Sequence, residues 1–148
     1  MIRAFLSHLL AMFFGYGLAV LACAAVMLAI LSLPTPLQGS SGWAADPLGD
    51  IPGRLVTLVQ ITAIAALPGW ALTALVSELA MLRSKFLFAL AGLLSASLAH
   101  GLFNALLETH METGMTISAH IGGLFGGLVY WAAAGKNAGI WISKVNAK

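Results

Sequence analysis

Charge is what this chain has least of. Its 148 residues include 7 Lys or Arg and 5 Asp or Glu, which is 8% of the total. A soluble domain carries about 25%. With 60% apolar residues and a mean hydropathy of +0.96, a compact fold would turn mostly apolar groups outward. That excludes an ordinary cytosolic enzyme, a nucleic-acid-binding domain and a disordered tail, and makes lipid the natural solvent. Cysteine is nearly absent as well. Cys23 stands alone, so no internal disulfide forms, and no Cys/His group has zinc spacing. There is no internal repeat and no low-complexity tract.

The placement of the few charges is informative. None falls between Arg3 and Asp46, and three more uncharged windows follow at Leu55–Ser77, Phe86–Leu107 and Thr113–Gly135. A helix of 22–23 residues reaches roughly 33–35 Å, enough for a ~30 Å hydrocarbon core. Only a helix or a closed barrel satisfies its backbone in lipid. The expectation is an all-α, four-helix transmembrane bundle forming a single domain over 1–148, with spans at about 9–33, 55–77, 86–107 and 113–135. Segment 34–54, with four prolines and four glycines, reads as an outer loop, and 136–148 as a tail. Val20-Leu21-Ala22-Cys23 resembles a lipoprotein cleavage box. The apolar run continues through Ala24–Leu33, however, so a retained first helix is expected.

Arg3, Arg83, Lys85, Lys136, Lys144 and Lys148 all fall on one side of a four-span chain, whereas Arg54 lies opposite with Asp46, Asp50, Glu108 and Glu112. The positive-inside rule then places both termini in the cytoplasm of a bacterial-type inner membrane. Tyr130, Trp131 and Trp141 would mark the inner interface and Trp43 the outer one. The tail, with Trp141 between Ile140 and Ile142 and three lysines around them, suits a short segment on the anionic inner leaflet.

Few polar groups interrupt the spans. Ser97, His100, Asn104 and Glu108 recur at spacings of three and four, so they share one face of span 3. His100 lies about 10 Å in from the outer end, and His120 on span 4 reaches nearly the same depth. Gln60, near the outer end of span 2, is expected to join them. Ionisable and amide groups at such depth turn inward and find partners, so a polar seam of Gln60, Ser97, His100, Asn104 and His120 is predicted. Span 4 also carries two interleaved pairs, Gly122/Gly126 and Gly123/Gly127, whose bare faces allow close helix packing, either within the chain or onto a partner. Pro68 and Gly69, near the centre of span 2, predict a kink, and either a packing bend or a ligand-lined break would use one.

Ala99-His100-Gly101-Leu102-Phe103-Asn104 resembles the His-x-x-x-Asn helix of rhomboid intramembrane serine proteases. Ala119-His120 followed by Gly123 and Gly127 resembles the helix bearing their general base. The resemblance implies oxyanion roles for His100 and Asn104 and a base role for His120. The family's Gly-x-Ser helix has no counterpart on any span here, and a histidine base without a nucleophile performs no acyl transfer.

A non-enzymatic accessory or scaffolding subunit is therefore expected. It would act through helix contacts in the bilayer with other membrane subunits or with its own copies, without cofactor, metal or nucleic acid. Two alternatives use the same residues: a membrane subunit holding haem b between His100 and His120, or a small transporter or channel subunit working through Pro68 and the seam.

Overall fold

The structure, a computed structural model, describes residues 2–33, 50–107 and 112–138. Four helices account for almost all of them: α1 (Ile2–Leu31), α2 (Ile51–Leu79), α3 (Lys85–Leu107) and α4 (Thr113–Ala133), followed by a 3-10 turn at Gly135–Asn137. Glu108, Trp43, Trp141 and most of the presumed loop and tail lie outside the described residues.

Among the described residues three stretches are long and apolar enough to cross a membrane: Leu6–Leu31, Ile51–Leu79 and Lys85–Ala105. The 21-residue α4 is less apolar, because Thr113, Thr116, Ser118, His120 and its glycines dilute its hydropathy. It is also the most enclosed. It packs chiefly against α1 and α3, while α2 touches α1 and α3 and stands diagonal to α4. A helix surrounded by protein needs less apolar surface than one bathed in lipid.

α2 begins four residues before the sequence-based span. Asp50 forms its N-cap, its carboxylate accepting the Gly53 N–H at 3.2 Å, and Pro52 falls in the first turn, where the missing N–H is no loss. Residues 51–54 therefore belong to the helix, with Asp50 as its cap, and not to the loop. The helix runs unbroken through Pro68, whose ring sits on the exposed side.

α4 makes its two principal contacts on two glycine ridges. A Cβ placed on Gly122 would lie 2.9 Å from the Cys23 carbonyl oxygen, and one on Gly126 would lie 3.0 Å from that of Ala19, both on α1. Gly123 abuts Gly92, and Gly127 abuts the Phe88 carbonyl, both on α3. Adjacent positions on a helix point about 100° apart, so these neighbouring ridges grip two different helices.

Two apolar clusters occupy the ends of the interior. Cys23, Ala24, Met27 and Leu58 form one, backed by Met115 and Ala119. Phe88, Tyr130 and Ala134 form the other, with Trp70 and Trp131 against it, and the Phe88 and Tyr130 rings lie 5.7 Å apart. At this second end Arg83 Nε donates to the Ala138 carbonyl at 2.9 Å, and Trp131 Nε1 donates to the Arg83 carbonyl at 2.7 Å. His8 of α1 meets Glu78 of α2 there too, at 2.9 Å. The start of α1, the α2–α3 link and the end of α4 thus share one end of the bundle.

Candidate functional site

The α3–α4 crevice contains the seam. His120 Nδ1 lies 2.7 Å from the Thr116 carbonyl, which only accepts, so in the neutral ring this nitrogen carries the proton. Nε2 is then an acceptor and receives the Ser97 hydroxyl at 2.9 Å. The Leu93 carbonyl, at 3.2 Å from Ser97 Oγ, is the longer alternative for the same proton. One turn further along α3, the Asn104 amide donates to His100 Nε2 at 3.1 Å, leaving Asn104 Oδ1 buried without a partner. Ser97 is exposed at the rim of the crevice, and His100 and His120 are half-buried.

Gln60 does not join this group. It lies on the exposed face of α2, whose nearly uniform apolarity left the inward direction of the helix open. Glu108 lies outside the described residues.

Ser97, His120 and the Thr116 carbonyl reproduce the proton geometry of a nucleophile, a base and an orienting acceptor. Acyl transfer also needs donors aimed at a developing oxyanion. Backbone N–H groups around Ser97 are committed within the helix, and the Asn104 amide is directed at His100.

Beside the seam, the middle of the bundle holds a cavity of about 130 Å³, lined by all four helices and partly open to the outside. It exists because α2 stands off from α4. Its walls are almost wholly apolar, with Ala65, Ala66, Ala91, Ala96 and Ala99 among them. Tyr16, Trp70, Tyr130 and His100 also line it, whereas His120 does not.

Haem does not fit these residues. A porphyrin held by His100 and His120 needs both imidazoles on one open space, and only His100 faces the cavity. The volume is also below the roughly 300 Å³ at which cofactor pockets begin, and α3 and α4 touch backbone to backbone at Gly92 and Gly123. A water-filled conduction path fits no better, because a buried water needs about two to four polar partners and these walls offer few.

Two polar features were not found by sequence reasoning. His8 and Glu78 have side chains only 15% and 14% exposed. Glu78 falls just beyond the sequence-based span 55–77, yet it lies on the last turn of α2, opposite the start of α1. Tyr16 donates to the Ala63 carbonyl beside the turn that Pro68 weakens. Its ring and that of Phe13 pack on Trp70 with centroids 4.7 and 5.5 Å away.

Comparison with protein-family models, with curated proteins and with solved structures finds no match for this chain.

Proposed function

We propose that this chain is a four-span inner-membrane protein with both termini cytoplasmic, acting as a non-enzymatic accessory or scaffolding subunit through helix contacts in the bilayer. α4 supplies the fourth span, its modest hydropathy matched by its enclosure between α1 and α3. The shared end of the bundle carries Arg83, Lys85 and Lys136, which favours the cytoplasmic side for it. The rhomboid-like residues His100, Asn104 and His120 serve as a register-fixing seam in this reading.

The observation that carries the proposal is Gln60. Its amide sits on an outward stripe of α2 with Val56, Ile64 and Leu67, of which Ile64 is 77% exposed. Hydrocarbon leaves such an amide unsatisfied, and another membrane helix satisfies it. The glycine ridges are occupied inside the protomer, so the partner, a second copy or another subunit, docks on this stripe. Gln60→Leu should release the partner or dissociate the oligomer in mild detergent, with the monomer still folded. Identical assemblies for wild type and variant, or a monomeric wild type with no partner, would sink the reading.

A further inference from the structure

Positive charge is left over at the shared end of the bundle. Arg83 lies in the α2–α3 link, Lys85 opens α3 and Lys136 sits in the 3-10 turn after α4, all three exposed. None of them forms an ion pair. The single ion pair among the described residues joins His8 to Glu78, and the other described carboxylates, Asp50 and Glu112, stand at the far end, where α2 and α4 begin. Link and turn are tied together. Arg83 Nε donates to the Ala138 carbonyl at 2.9 Å, and the Arg83 carbonyl accepts from Trp131 Nε1 at 2.7 Å. Ala138 is fully buried, so the guanidinium is anchored through one nitrogen. Its Nη1 and Nη2 have no hydrogen-bond partner among the described residues, and such a planar pair fits a phosphate with two parallel hydrogen bonds. Lys85 follows Arg83 by two residues and Lys136 precedes Ala138 by two, so the three cations share one corner of the bundle.

The surface beside the cations indicates what kind of anion fits. Phe86, Leu90, Leu94 and Leu98 are all exposed and recur every four residues along α3, starting next to Lys85. Four-residue spacing makes a continuous row on a helix surface. Phe86 is 76% exposed, and Lys85 Nζ stands 5.4 Å from the centre of its ring. A row that begins in cations and continues in exposed hydrocarbon matches an amphiphile with phosphate at one end and an acyl chain along the helix. A soluble anion would leave the apolar row unused. We propose that Arg83, Lys85 and Lys136 form a binding site for the phosphodiester headgroup of an anionic phospholipid, with an acyl chain on the row from Phe86 to Leu98. Arg83 supplies the planar pair, and the two lysines supply charge that favours an anionic headgroup over one bearing its own ammonium. The site rests on the membrane-spanning reading above and does not depend on Gln60 or on any partner.

The test is a thermal-shift titration of the full chain in neutral detergent with three probes: phosphatidylglycerol, phosphatidylcholine and inorganic phosphate. Phosphatidylglycerol should raise Tm in a saturable way, and the other two should leave it unchanged. Lys85→Gln combined with Lys136→Gln should weaken apparent affinity for phosphatidylglycerol roughly 10–30-fold, since each lysine contributes roughly fivefold. Both side chains are exposed and outside any ion pair, so the fold is kept. Lys144→Gln combined with Lys148→Gln removes the same charge outside the site and should weaken binding far less. Equal shifts with phosphatidylcholine, saturation by inorganic phosphate, undiminished affinity in the first double variant, an equal loss in the second, or no shift with any probe would each overturn the proposal. Flotation with phosphatidylcholine vesicles checks the membrane reading separately. A chain that floats but shows no preference for phosphatidylglycerol fails this proposal alone, and one that stays in the soluble fraction fails the reading beneath it.

Discussion

Ser97 and His120 meet at 2.9 Å across two helices, and the histidine receives the hydroxyl because Thr116, one turn before it, has already taken the proton of its other nitrogen. A backbone carbonyl thus sets the polarity of a contact between helices.

That contact should be measurable as a coupling. Ser97→Ala and His120→Ala are each expected to lower unfolding free energy by about 0.6–2 kcal/mol, and the double variant by less than the sum of the two. A double-mutant cycle by denaturant titration in mixed micelles measures it. Strict additivity would mean that Ser97 prefers Leu93.

Glycines along the chain should separate into two classes on replacement by alanine. At Gly123 the new methyl group meets the Gly92 backbone, which cannot yield, so α3 and α4 must part at a cost of about 1–3 kcal/mol. At Gly17 and Gly101 it meets nothing within 4 Å, and helix propensity alone should stabilise by about 0.5–1 kcal/mol. Opposite signs in thermal unfolding are the expected result.

Breaking the His8–Glu78 pair should depend on which partner is removed. Glu78→Gln keeps an acceptor for the imidazole, whereas His8→Ala deprives a half-buried carboxylate of one partner. The second change is expected to cost about 1–3 kcal/mol and the first less. Proteolysis at the α2–α3 link provides a local readout.

Phe88 is 1% exposed and packs on Tyr130, with Gly135 held against its ring. Phe88→Ala should destabilise by about 3–5 kcal/mol. Phe88→Leu, which preserves much of the volume, should cost less. Guanidinium titration in detergent distinguishes them.

Much of the helical layout was legible, because charge is tolerated mainly at the ends of helices in such a chain. Arg83 and Lys85 bracket a link and Glu112 precedes a helix, whatever packs against what. The start of α2 was missed because Pro52 and Gly53 read as loop, although Asp50 caps them into a first turn. Azimuth was harder to read than extent. Gln60 matches the seam in depth and faces away from it, since an almost uniformly apolar helix carries little record of which side is inward. Gly122 and Gly126 lie against α1 and Gly123 and Gly127 against α3, an assignment that requires the order of helices around the bundle.

The arrangement of α4 has a consequence for assembly during synthesis. Among the four described helices, α1 takes its most extensive contact from α4, which follows it in synthesis, and so does α3. Until α4 leaves the ribosome the two hold a vacant slot between them, with the Ala19, Cys23, Phe88 and Gly92 backbones facing no neighbour. Bundle closure is therefore a late, long-range event, and a chain stalled before Thr113 would present that slot to quality-control machinery.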